Sequence, residues 1–194
     1  MGNATRAGVF PGTFNPPTRA HLEIATAARD RHRLDRVDLA VSRVALGKET
    51  LARPTLEHRL GVLRADVAEH DWLAVVVTDA RLVVDIARGY DVVIMGADKW
   101  AQVGDEVWYD SVAQRDRALA ELPALAIAPR LPHPAPAEHL LDVPHELDAM
   151  SSTAARSGRR DLMTSAASRF DELTGAWTDP ERYERWLGQA NHPS

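Results

Sequence analysis

Cysteine is absent from all 194 residues. No disulfide framework, thiolate metal site or cysteine nucleophile can operate, and nothing calls for an oxidising compartment. Long apolar runs are missing too. No stretch approaches the ~20 residues needed to cross a bilayer, and the few apolar residues before Pro11 make too short a run for a secretory signal. The Met1-Gly2 start has Arg6 where a myristoylation sequence wants Ser or Thr, so that reading is set aside. A cytoplasmic protein with no membrane partner is the expectation. A surplus of positive charge is equally lacking. The formal net charge is −5, with Lys and Arg scattered along the chain, which argues against a nucleic-acid polymer as partner. A small anion held by a few local cations stays open.

What the chain does have is regular alternation. Ala7 to Phe10, Val37 to Val41, Leu73 to Val77, Val92 to Met95 and Leu125 to Ala128 are short apolar runs bounded by charged or turn residues, as buried parallel strands are. Between them, His21 to His32, Thr55 to Glu69, Ala80 to Arg88 and Ser111 to Leu122 carry apolar residues at helical spacing. This order predicts an α/β fold, a doubly wound parallel sheet with right-handed crossovers. Four prolines between Pro129 and Pro136 predict a loop leading to a short strand around Leu140 to Val143. Ser151 or Ser152 reads as a helix N-cap, and helices are expected over Asp161 to Leu173 and Pro180 to Gln189, with Asn191 to Ser194 frayed. A hydrophobic fraction of 45% over 194 residues suits one domain, residues 1–194, with a core of about 6–158 and a C-terminal helical tail of about 159–190.

Ligands of such sheets bind beyond the carboxyl ends of the strands. One of those ends leads into Gly12-Thr13-Phe14-Asn15-Pro16-Pro17-Thr18-Arg19-Ala20-His21. Gly12 allows a close backbone approach, Pro16-Pro17 stiffens the way into a helix, and Thr18 and His21 are neighbours on one helical face. Backbone N–H groups and an imidazole converging on one spot suit a phosphate. Farther on, Ser151-Ser152-Thr153-Ala154-Ala155-Arg156 offers hydroxyls and amides in a first helical turn, with Arg156 as a forked cation.

The first of these segments resembles the signature of the nucleotidylyltransferase superfamily, with its Gly-x-Phe-Asp/Asn-Pro start and His/Thr-x-Gly-His helix opening. Thr18 stands where many members have His, and Ala20 where Gly is usual. Met150 to Arg156 is similar to the superfamily's second signature, Ile-Ser-Ser-Thr-x-x-Arg. The stretch Gly96-Ala97-Asp98 looks like the corresponding element of nicotinate and nicotinamide mononucleotide adenylyltransferases. The resemblance runs from Gly8 to Arg156.

It implies a Rossmann-like sheet and an enzyme of the nucleotidyltransferase type that moves AMP from ATP to a phosphorylated small-molecule acceptor, here nicotinate or nicotinamide mononucleotide, in NAD biosynthesis. Carried over by position, His21, Thr18 and Arg156 are catalytic. Gly12, Thr13, Phe14, Gly96, Asp98, Ser151, Ser152 and Thr153 bind ATP, with Asp98 on the ribose. Lys48, Trp108, Tyr109 and Trp100 face the acceptor, although the Pro-Pro-His that usually precedes the loop Lys is missing here. Mg²⁺ is implied as a companion of ATP rather than as the occupant of a protein metal site. Members of the superfamily often associate, so a homo-oligomer stays open. So do phosphopantetheine or a specialised metabolite as acceptor, CTP as donor, and a nucleotide-binding homologue without catalysis, to which Ala20, the altered Lys48 loop and an aromatic content of 6% all point.

Overall fold

The computed structural model describes residues 5–44 and 53–190. Five strands, β1 (Ala7–Pro11), β2 (Arg36–Ser42), β3 (Leu73–Thr78), β4 (Val92–Gly96) and β5 (Ala124–Ala128), form one sheet in the order β3-β2-β1-β4-β5. Every pairing is parallel, as strands buried on both faces require. The chain winds from β1 outward to β3, then returns to the far side of β1 with β4 and β5. The carboxyl ends of β1 and β4 therefore flank the point where the winding reverses, the usual ligand crevice of such sheets. The fold is the expected Rossmann-like α/β architecture.

The period-2 alternation of each strand separates two cores. Phe10, Leu39, Val41 and Ile94 pack with Ile24, Ala25 and Ala28 of α1 (Arg19–His32) and Leu60 and Leu63 of α2 (Leu56–Val67). On the opposite face Val9, Ala40, Val93, Met95 and Ile127 pack near α3 (Val83–Ile86), α4 (Ala97–Val103) and α5 (Val112–Ala120). The expected tail is no loose appendage. Leu162, Met163, Ala166, Trp177 and Tyr183 from α7 (Ser165–Thr174), α8 (Pro180–Ala190) and their flanks bury themselves with Val62 of α2 and Ala155 of α6 (Ser152–Arg156). Among the described residues no helix is long and apolar enough to cross a membrane.

Three expectations need correction, and α4 was not anticipated. The strand around Leu140 to Val143 is a single bridge from Leu140 to Ile127. Arg31 takes the carbonyls of Leu140 and Glu138, each at 2.5 Å, and Pro144 has no N–H to extend a ladder. The helix over Ala80 to Arg88 shrinks to α3 because Ser42 Oγ donates to the Ala80 carbonyl at 2.8 Å and Thr78 Oγ1 accepts from the Ala80 N–H at 3.0 Å, holding that stretch outside helical geometry. The helix over Asp161 to Leu173 is interrupted at Met163 and Thr164. Thr18 bridges Met163, and the Thr164 N–H donates to the Pro17 carbonyl at 3.2 Å, so tertiary contact overrides helical propensity there. Asn191 to Ser194 lie outside the described residues.

Candidate active site

The turn after β1 is tethered to β2 and to α2. The Gly12 N–H donates to the Ala40 carbonyl at 3.0 Å, and Arg59 Nη1 of α2 donates to the Thr13 carbonyl at 3.0 Å. Arg59 is itself buried, which pulls its proton affinity below the usual guanidinium value. Phe14 adopts φ 44°, turning its ring back over Gly12. A Cβ on residue 12 would meet that ring at 2.8 Å, so glycine is required by close approach rather than by its own dihedral freedom.

Thr18 is the N-cap of α1, and its pairing with His21 is reciprocal in the manner of a capping box. The Thr18 backbone N–H donates to His21 Nδ1 at 2.9 Å, and Thr18 Oγ1 lies 2.8 Å from the same nitrogen. A backbone N–H can only donate, so Nδ1 is the acceptor and the neutral ring carries its proton on Nε2. An edge contact from Phe14 at 5.1 Å and a tilted one from Phe10 at 5.9 Å between ring centroids fix the imidazole plane. Thr18 is fully buried and acts here by orienting His21.

The second signature folds against the first. Ser151 caps α6, accepting from the Ala154 N–H at 3.0 Å, while Ser152 Oγ donates to the Pro16 carbonyl at 2.8 Å. Arg156 Nη1 donates to the Asn15 carbonyl, and its Nη2 donates to Thr153 Oγ1 at 3.1 Å. Segments about 140 residues apart in sequence thus form adjoining walls of a half-open cavity of about 470 Å³.

Gly12, Thr13, Phe14, Thr18, His21, Gly96, Asp98, Trp108, Tyr109, Ser151, Ser152, Thr153 and Arg156 all line that cavity. A Cβ on Gly96 would meet Asp98 Oδ1 at 2.4 Å, so glycine lets the carboxylate fold back to the end of β4. Burial pushes the Tyr109 phenol above its ordinary value, and its O–H donates to the Val103 carbonyl at 2.8 Å. Trp100 is not among the lining residues; it packs against the apolar cluster beneath β4 and β5. An aromatic two residues beyond Asp98 falls on the half-buried, sheet-facing side of α4, which sequence spacing could not show without the helix itself. Lys48 lies outside the described residues.

Four further cations or potential cations escaped the sequence reading. Arg81, Lys99, Arg130 and His133 line the same cavity, and Asp98 is its one carboxylate among the described residues. Lys99 Nζ donates to Gln102 Oε1 at 2.6 Å, and Arg130 Nη1 to the Asp148 carbonyl at 2.9 Å. The available signal was positional, since Arg81, Lys99 and Arg130 all follow carboxyl ends of strands. A basic cleft in a protein of net charge −5 focuses anions where Arg156 and the Nε2–H of His21 can donate. Among the described residues no three His, Cys, Asp or Glu side chains cluster to hold a metal ion. This donor set fits a divalent cation that arrives on phosphate oxygens, with Asp98 the one carboxylate lining the cleft among the described residues.

Fold and cleft together define a Rossmann-like α/β protein with a basic crevice at its winding reversal. The chain belongs to the cytidylyltransferase-like family, whose model matches residues 9–158. A stretch of 76 residues is 36% identical to a probable nicotinate-nucleotide adenylyltransferase of Gloeobacter violaceus, covering 39% of this chain and 37% of that protein. Proteins of the same name from Citrifermentans bemidjiense and Geobacter sp. (strain M21) are 38% and 37% identical over 65 and 70 residues, covering 34% and 36% of this chain and 30% and 32% of theirs. The chain thus spans about a third of the length of the curated relatives it matches.

Proposed function

We propose that this chain transfers AMP from ATP to the 5′-phosphate of nicotinate mononucleotide and releases pyrophosphate. The observation that carries the reading is the convergence of the His21 imidazole and the Arg156 guanidinium on one basic cleft whose other wall holds Asp98 and Trp108. An oxygen of the acceptor phosphate attacks the α-phosphorus of ATP in line. As that P–O bond forms, the bond to the β-phosphate bridging oxygen breaks, and its electron pair leaves with pyrophosphate. The attacking phosphate is already anionic at pH 7, so neither a covalent enzyme intermediate nor a general base is required, and catalysis is alignment and charge stabilisation.

His21 donates from Nε2 to a non-bridging α-phosphate oxygen, with Thr18 setting the tautomer and the ring direction. Arg156, Ser151, Ser152 and Thr153 hold the β- and γ-phosphates. Asp98 accepts from the ribose hydroxyls, and the Gly12–Phe14 turn lines the ATP side of the cleft. Trp108 stacks on the acceptor ring beside Tyr109, and Lys48 meets the acceptor phosphate. Mg²⁺, when bound through ATP oxygens, supplies neutralisation of the triphosphate charge.

Purified protein incubated with ATP and Mg²⁺ is expected to release pyrophosphate when nicotinate mononucleotide is supplied. Parallel arms with nicotinamide mononucleotide, 4′-phosphopantetheine and CTP test the acceptor and the donor. Turnover only in one of those arms transfers the reaction to that substrate. ATP binding with no pyrophosphate from any acceptor overturns the enzymatic reading.

A further inference from the structure

Asn15 sits at the junction of three parts of the molecule, and its side chain plays no part in the chemistry described above. Its backbone carbonyl accepts from Arg156 Nη1. Its side-chain Oδ1 accepts from the indole Nε1–H of Trp177 at 2.6 Å, and its Nδ2 donates to the Arg53 carbonyl at 3.4 Å. Asn15 and Trp177 are 2% and 4% exposed, so the bond between them faces no competition from water. Both neighbours have a fixed sense. An indole N–H can only donate and a peptide carbonyl can only accept, so residue 15 must present an acceptor to one and a donor to the other. An amide meets both demands, whereas a carboxylate would turn an anionic oxygen onto the Arg53 carbonyl.

We infer that Trp177 is a positioning residue for the triphosphate-binding arginine: by clamping the Asn15 side chain, it fixes the direction of the Asn15 carbonyl and hence the rotamer of Arg156. The inference rests on the adenylyl-transfer reading for the ligand that Arg156 meets. It gives the C-terminal helical unit a function beyond burying apolar surface. Trp177 follows the end of α7 and is held in turn by Asp171, whose Oδ1 accepts its backbone N–H at 2.7 Å. The path from that unit to the cleft is therefore four contiguous contacts, Asp171 to Trp177 to Asn15 to Arg156 to ligand. Other bonds between the unit and the turn, such as the Thr164 N–H to the Pro17 carbonyl, hold the backbone in place but do not reach Arg156.

The test measures ATP binding by titration calorimetry with the full chain, with Mg²⁺ present and no acceptor. Trp177→Phe keeps an aromatic ring beside Phe170, with which Trp177 now makes an edge contact at 5.9 Å, and removes the donor together with part of the indole's volume. It is expected to bind ATP roughly tenfold more weakly, the scale of a charge-assisted contact weakened when Arg156 leaves its rotamer. Tyr183→Phe is the control. It cuts the same helical unit from the Thr55 N–H and from His58 without touching Asn15, and is expected to leave ATP affinity at the wild-type value even where melting temperature falls. In an Arg156→Ala background, adding Trp177→Phe is expected to change nothing further. Should Trp177→Phe fail to fold, Asn15→Ala breaks the clamp from the other side and carries the same expectation. Wild-type affinity in a folded Trp177→Phe or Asn15→Ala variant overturns the inference alone, as does equal weakening in Tyr183→Phe. A wild-type chain that does not bind ATP overturns the adenylyl-transfer reading, and the inference with it.

Discussion

Replacing His21 by Ala removes two things that the structure allows to be separated. The first is the acceptor for the Thr18 backbone N–H, a bond of 2.9 Å at a residue with no exposed surface. Leaving that donor unsatisfied costs about 2 kcal/mol, partly shared with the loss of the reciprocal N-cap arrangement. At 2–4 °C per kcal/mol for a chain of this size, melting is expected to drop by about 4–8 °C. The second is the Nε2–H donor, which strengthens its bond as charge gathers on the α-phosphate. Its loss is expected to lower kcat by about 10²–10³ with a lesser change in ATP affinity. Two more substitutions divide these effects by geometry. Asn at position 21 can place Oδ1 where Nδ1 lies but reaches no farther, so His21→Asn is expected to recover most of the stability and little of the activity. Gln can place its amide N–H near Nε2 but offers nothing at Nδ1, so His21→Gln is expected to retain more turnover and less stability. The assays are thermal melting and pyrophosphate release under saturating substrates. A folded His21→Ala variant turning over within a few-fold of wild type refutes the catalytic assignment, and identical behaviour of the Asn and Gln variants refutes the division.

Trp108→Ala is expected to raise KM for the mononucleotide while leaving KM for ATP unchanged, as removal of a stacking platform does; unchanged values for both make Trp108 a packing residue of the rim. Stability of the C-terminal unit is expected to fall in acid through Asp171. Burial by itself would raise this carboxyl above its ordinary 3.8, but hydrogen bonds from the Thr178 hydroxyl, the Trp177 N–H, Arg160 and the Thr178 N–H hold it below that value. A depressed folded-state pKa stabilises above 3.8 and loses its contribution as pH drops through the folded value. Urea midpoints measured from pH 5 downward are expected to decline below pH 3.8, and in Asp171→Asn that part of the decline is expected to vanish; an equal acid slope in the variant rules Asp171 out as its source.

The five strands were legible because parallel strands buried on both faces must be continuously apolar, and runs such as Val92 to Met95 have no other stable place in a folded chain. The glycine turn after β1 was legible for a similar reason. Gly12, Thr18 and His21 are local partners, and their spacing alone brings them onto one turn and one helix face. Tertiary contact decided what local preference could not. It cut the helix at Met163 and Thr164 by pairing that stretch with Pro17 and Thr18, reduced the strand at Leu140 to one bridge by giving its carbonyl to Arg31, and put Trp100 against the sheet instead of in the cleft. It also gathered Arg81, Lys99, Arg130 and His133 around one cavity. Each of these is a loop or helix position of ordinary composition whose charge gains meaning only from strands ending side by side. Period and spacing are properties of a segment, and a chain states them on its face. Which distant carbonyl a guanidinium reaches, and which face of a short helix an indole turns toward, depend on how segments pack, and only the folded molecule contains that information.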